Sequence, residues 1–238
     1  WTPDAGVRDV VPPQGRVGTR VHEYGGGPYA VGPRGMSYPG RRTGHVWFRA
    51  SAPEPAPGPA REPDAAPLPT LLAGADGLRF ADLRFDGCFG GQPAMVLAVR
   101  EDHRATGEPQ AALVPLGGDA EAAGRVLVRG ADFYASPALS PDGATLAWVE
   151  WNHPAMPWDA TRLCVGRVLR GADGAIVAVE QPRVLAGADG GESQGESQGE
   201  SQGESLGEPR WTHDGRLLVI SDRAGGWRAL LPISEPTR

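Results

Sequence analysis

Four stretches of the sequence hold residues that could do chemistry. Residues 191–208 read GESQGESQGESQGESLGE and match the pattern G-x-S-x-G literally at 191–195 and again further along. That pattern exposes a nucleophilic serine only where a buried strand turns sharply into a helix, beside backbone N–H groups that hold an oxyanion. No apolar strand abuts the tract and no amphipathic helix follows it, so no catalytic serine is read there. His22-Glu23-Tyr24-Gly25-Gly26-Gly27 has the glycines of a phosphate loop. It lacks the lysine and the following helix that such a loop needs, and its glycines instead permit close backbone approach.

Arg100-Glu101-Asp102-His103-Arg104 is a dense charge cluster after the apolar run AMVLAV. The bland expectation is a solvated turn with ion pairs contributing about 0–1 kcal/mol each. The alternative gives Arg100, Asp102 and His103 an interdomain or ligand-guiding role. Asn152 to Trp158, reading NHPAMPW, forms an aromatic loop braced by prolines. A rigid packed loop is expected, with His153 and Trp158 as alternatives for facing a ligand. The five histidines show neither H-E-x-x-H nor any short paired spacing, so no metal site and no cofactor are read.

The elements that position these residues are short β-type runs. In SPDG, Pro141 presets φ, Asp142 can bond its own backbone and Gly143 accepts positive φ, which predicts a tight hairpin. The same device recurs at Asp214-Gly215 and, more loosely, at Asp86-Gly87. Copies of one turn followed each time by a β-rich run form an internal repeat at blade-like spacing. Leu146-Ala147-Trp148-Val149 is apolar on both faces, which suits a sheet stacked between two others. The fold class read is all-β: a partial β-propeller of about four blade-like antiparallel sheets.

Residues 1–15 read as a tail, 16–50 as a first, degenerate blade and 51–72 as a Pro-rich linker or insertion. Residues 73–190 hold further blades, 191–207 a disordered low-complexity loop and 208–238 an incomplete last blade. Within this scheme 78–87, 94–102 and 111–116 supply one sheet, and RVLV at 125–128 opens the next. Too many prolines in the first tract and no apolar face in the second argue against regular structure in either.

The chain has 238 residues and a formal net charge of -6, with no basic stripe to follow a phosphate backbone, so nucleic acid is not an expected partner. No apolar run approaches the roughly 18 residues of a membrane span. Cys88 and Cys164 lack paired spacing and read as two buried thiols. A soluble protein is expected, cytoplasmic or organellar. Because the first residue is Trp1, the chain reads as a piece of a longer protein, from which a targeting segment could have been lost.

The segments TRVHEYGGGPYAV, RFADLRFD, VREDHR, GADFYASPALSPDGATLAWVEWNHPAMPWDATRL and EPRWTHDGRLLVISDRAGGWRALLP, in this order, resemble the propeller of the prolyl oligopeptidase family of serine peptidases. The likeness is to its acylaminoacyl-peptidase and dipeptidyl-peptidase-like members. It implies a propeller that caps an α/β-hydrolase domain in the same chain and restricts entry to short peptides. That domain would supply serine, aspartate and histidine, and nothing in the present chain matches it. The resemblance also makes Glu23 and Tyr24 candidate substrate-side groups. The Pro-rich block departs from the family pattern: either it loops out between strands of the first blade, or part of that blade is lost. A stand-alone propeller serving as a binding scaffold, and a truncated product without function, are the alternative readings.

Overall fold

The computed structural model describes residues 9, 11, 16–51, 68–86, 96–117, 123–187 and 203–233. Among them there are fifteen strands and no helix. The first sheet runs β1 (Ala30–Gly32), β2 (Gly35–Pro39), β3 (Val46–Ala50), β4 (Thr70–Ala73), and the second β5 (Leu78–Phe85), β6 (Val96–Asp102), β7 (Gln110–Leu116), β8 (Val128–Arg129). The third runs β9 (Phe133–Leu139), β10 (Thr145–Trp151), β11 (Arg162–Arg170), β12 (Ile176–Ala186), and the fourth β13 (Leu206–Trp211), β14 (Leu217–Ser221), β15 (Arg228–Ile233). Every neighbouring pair is antiparallel and each sheet is a simple meander. The fold is a partial β-propeller of four sheets.

Sheets stacked on both sides need apolar residues on both faces, and the sequence supplies them. On β10, Leu146 and Trp148 point into the core shared with the second sheet, whereas Ala147, Val149 and Trp151 point into the core shared with the fourth. On β6, Leu97 and Val99 face the third sheet, and Val96 and Ala98 face the first. Each large side chain so buried contributes about 1.5–3 kcal/mol. Trp148, 1% exposed, is the largest of them.

The first strand of each sheet lies innermost, β1 touching β5, β5 touching β9 and β9 touching β13. Three of these strands carry the same bulge. At Asp82-Leu83, Ser136-Pro137 and Glu208-Pro209, two residues oppose one on the partner strand. The first residue of each bulge has φ of 52°, 51° and 50° respectively, in the left-handed region. Asp82 repays that strain at the axis. Its carboxylate accepts the N–H of Gly27 at 2.5 Å and that of Ser136 at 2.6 Å, while its own N–H donates to the Gly27 carbonyl at 2.9 Å. One side chain thus joins the inner strands of the second and third sheets to the segment that leads into β1.

The structure redraws several expectations. The Pro-rich tract falls between β3 and β4, which pair with each other, so the first sheet is completed by Thr70–Ala73 from beyond it. Residues 52–67 themselves lie outside the described residues, as do 188–202 and Cys88, while β13 already begins at Leu206. Val128 does not open the third sheet: it pairs with Leu113 and closes the second. The fourth strand of the third sheet is instead Ile176–Ala186, reached through an Asp173-Gly174 turn.

Candidate functional site

The pairing registers sort the candidate residues onto two ends of the sheets. Inner strands begin, and second strands end, at the end that carries His22, His103 and His153. The Asp-Gly turns sit at the opposite end. There, Gly143 N–H donates to the Ser140 carbonyl at 2.8 Å, Asp142 accepts from the Ser140 hydroxyl at 2.5 Å, and Gly143 has φ of 68°. The Ser140 hydroxyl and the Ala144 N–H hold the Asp142 carboxyl below its ordinary range. At the second turn Gly215 N–H donates to the Thr212 carbonyl at 3.0 Å, and the Thr212 hydroxyl bonds Asp214. These four residues shape hairpins between antiparallel strands.

At the other end, Val21 is fully buried and anchors a turn in which Gly25 N–H donates to the Val21 carbonyl at 2.8 Å. The next residue, His22, donates its backbone N–H to Glu101 Oε1 at 2.7 Å. Glu101 is only 3% exposed and lies between several partners: its Oε2 is 3.0 Å from His103 Nε2 and 4.0 Å from Arg79. Arg79 in turn reaches Glu23 at 2.5 Å and the Arg20 carbonyl at 3.0 Å. The Arg79 hydrogen bond and charge hold the exposed Glu23 carboxyl below its ordinary range. Carboxylates and basic side chains therefore alternate from Glu23 through Arg79 and Glu101 to His103.

Beside this chain stands an aromatic wall. The His22 ring lies 5.1 Å from Trp151, 5.7 Å from Phe133 and 5.6 Å from Tyr24. Phe133 stacks on Trp151 at 5.3 Å and meets His153 edge-on at 5.0 Å. Burial pushes the His22 imidazole below its ordinary value, with Glu101 and Asp82 pulling the other way, and its buried Nε2 has no hydrogen-bond partner among the described residues. Burial likewise raises the Tyr24 phenol. Aromatic faces beside carboxylates suit a positively charged or polar-apolar ligand. Among the described residues no group of three His, Cys, Asp or Glu side chains could hold a metal.

The structure brings Glu23, Tyr24, His103 and His153 together and sends three other candidates elsewhere. Arg100 points to the opposite face of β6, where its Nη1 donates to the Ala123 carbonyl at 3.0 Å, so it braces the chain returning to β8. Asp102 is clamped by Arg104 at 2.8 and 2.6 Å, which holds its carboxyl down to about 2. Trp158 is 59% exposed on the loop after β10. That loop is braced by His153 N–H donating to Asp132 and by Met156 N–H donating to Asp159, both at 2.9 Å. The charge cluster is therefore no uniform solvated turn, because Arg100 and Glu101 are buried.

Sequence reasoning passed over His22, Arg79, Glu101, Phe133 and Trp151 as site residues. Alternation along β6 puts Leu97, Val99 and Glu101 on one face and Ala98 and Arg100 on the other, which separates Glu101 from Arg100 without marking either as a site residue.

No protein-family model and no curated protein sequence matches the chain. Solved structures do. A crystal structure of puromycin hydrolase superposes with a TM-score of 0.70 at 27% identity, over 95% of this chain and 32% of that one. A puromycin-hydrolyzing peptidase from Mycobacterium tuberculosis superposes with a TM-score of 0.62 at 33% identity, over 90% of this chain and 31% of that one. The fold is that of the propeller region of the prolyl oligopeptidase family. The present chain spans about a third of the length of these peptidases, and its four propeller sheets account for that share.

Proposed function

We propose that this chain is the substrate-gating and interdomain propeller portion of a prolyl-oligopeptidase-family serine peptidase that cleaves short peptides, and that it is not itself catalytic. The observation that carries the reading is the superposition on two puromycin-hydrolysing peptidases over at least nine-tenths of the chain. An α/β-hydrolase domain, normally in the same chain, supplies the serine, aspartate and histidine of the reaction. The propeller offers peptides a polar and aromatic rim at the His22 end, where Glu101 holds the turn of Glu23 and Tyr24 and the His103 side chain, and Asp132 holds the loop of His153. Short peptides, with few residues to order, pass that rim, and folded chains do not.

The test of the non-catalytic role is hydrolysis of alanyl- and acyl-alanyl-nitroanilide by the purified chain and by a variant with Ser193, Ser197 and Ser201 replaced by alanine. Neither protein is expected to turn over either substrate. Turnover that disappears in the variant overturns the reading. Gating is tested in the longer peptidase by deleting residues 16–73, which is expected to admit longer peptides; an unchanged length limit overturns it.

A further inference from the structure

Between the first and second sheets, at the end that carries His22, lies a cleft of about 350 Å³. Its walls are residues 18–20, the β2–β3 turn at 39–45, residues 76–80 and His103. Four arginines, Arg20, Arg41, Arg42 and Arg79, are among the residues that line it, with Asp76 the one acidic residue of the lining. Arg79 is matched by Glu23, and His103 by Glu101. The side chains of Arg20, Arg41 and Arg42 make no hydrogen bond or ion pair among the described residues. Arg20 still feels the Glu23 carboxylate, so on a chain of formal net charge -6 the local excess of positive charge in this concave setting is carried by Arg41 and Arg42, and such an excess concentrates anions.

The arginines are also borne on a braced turn. Gly40 N–H donates to the His45 carbonyl and Gly44 N–H to the Gly40 carbonyl, both at 2.8 Å, closing the turn on itself. Arg41 N–H donates to the Arg16 carbonyl at 2.8 Å, and the Arg41 stem lies against Gly18, 3.3 Å from where a Cβ would stand. Gly44, at φ of 74°, comes so close to the second sheet that a Cβ would sit 2.4 Å from the Leu78 carbonyl oxygen. The cleft is thus held at a fixed width, and less ordering is needed when a ligand binds.

We propose that this cleft binds a small anionic ligand through a carboxylate or phosphate group, received by Arg41 and Arg42 with Arg20 opposite. Guanidinium forks match both groups bidentately. The inference rests on the charge and shape of the cleft and stands apart from the peptidase reading.

Calorimetric titration of the whole chain at low salt with inorganic phosphate, with trialanine and with trialanine amide tests it. Saturable binding of phosphate and trialanine, with the amide silent, is expected. Phosphate alone would assign the ligand to phosphate-bearing molecules, and trialanine alone to free peptide carboxylates. The exposed pair replaced together, Arg41→Gln with Arg42→Gln, should weaken binding about tenfold, as loss of one charge-assisted contact would. Asp76→Asn should tighten it. No saturable heat with either anion overturns the proposal. So does an amide that binds as well as trialanine, an affinity unchanged by the double replacement, or a weaker affinity in Asp76→Asn. Equal thermal midpoints for the variants and the parent chain show that the fold is intact.

Discussion

Arg170 and Asp86 tie the third sheet to the second at the end remote from His22, with Nη1 2.7 Å from a carboxylate that has no exposed surface. The same guanidinium donates to the Gly143 carbonyl at 3.2 Å and the Gly174 carbonyl at 3.1 Å, so it also closes two Asp-Gly turns. Removing one partner of a buried pair strands the other charge. Asp86→Ala should therefore lower stability by about 3 kcal/mol, read as a shift in the urea midpoint at constant slope. In a double-mutant cycle with Arg170→Ala, additive losses would show that the two groups are not coupled.

Asp82 makes the corresponding joint at the axis. Asp82→Asn keeps a residue that tolerates positive φ and one carbonyl acceptor, so it should cost about 1 kcal/mol. Asp82→Ala loses both acceptor oxygens for the Gly27 and Ser136 N–H groups and places a less tolerant residue at φ of 52°, for a cost of about 3 kcal/mol. Equal losses in the two variants would rule out the carboxylate as a clamp between the second sheet, the third sheet and the segment before β1.

The bulge that Asp82 occupies shows why part of the fold was legible in the sequence and part was not. The Asp-Gly turns at 142–143 and 214–215 announce themselves, because glycine and aspartate there answer a purely local demand. The inner-strand bulges carry Asp, Ser and Glu at positive φ, residues with no such signature, and their cause is packing around an axis between sheets far apart in sequence. β8 was misassigned for a similar reason: two residues hold too little pattern to choose between adjacent sheets, and the choice is made by pairing with Leu113. His103 and His153 stand out as polar and aromatic residues in loops, and Glu23 and Tyr24 are candidates through the family resemblance. Glu101 does not stand out, because its role depends on burial behind the His22 turn, which no spacing along β6 announces. Arg100 and Glu101 are neighbours in sequence, yet they stand on opposite faces of β6 with different partners.

Two glycines with nearly the same backbone conformation separate strain from crowding. Gly215 has φ of 82° and open space around its Cβ direction, whereas Gly187 has φ of 83° and a Cβ there would lie 2.0 Å from the Thr161 carbonyl oxygen. Gly215→Ala carries only the conformational penalty, about 1 kcal/mol. Gly187→Ala adds a clash with backbone where the third sheet approaches the start of the fourth, and should cost about 2 kcal/mol more. Thermal midpoints of the two variants check this. Equal shifts would mean that the loop at 187 yields without resistance.

The imidazole of His22 should make stability fall as the solution is acidified. Burial against Phe133 and Trp151 holds its folded value below the ordinary one, although Glu101 and Asp82 favour the charged form. The unfolded chain therefore takes up a proton near pH 6.5, before the folded chain does. In that interval more protons are bound in the unfolded state, and unfolding free energy rises with pH. The contribution is fully present above about pH 6.5, is lost as pH falls from there toward the folded value, and changes no further below it. His22→Asn retains a residue suited to φ of 57° and removes the titration. The four other histidines are common to both proteins, so the difference between their stability profiles from pH 8 to 5 isolates His22. A flatter profile for His22→Asn is expected, and parallel profiles would show that His22 is not held neutral by its surroundings.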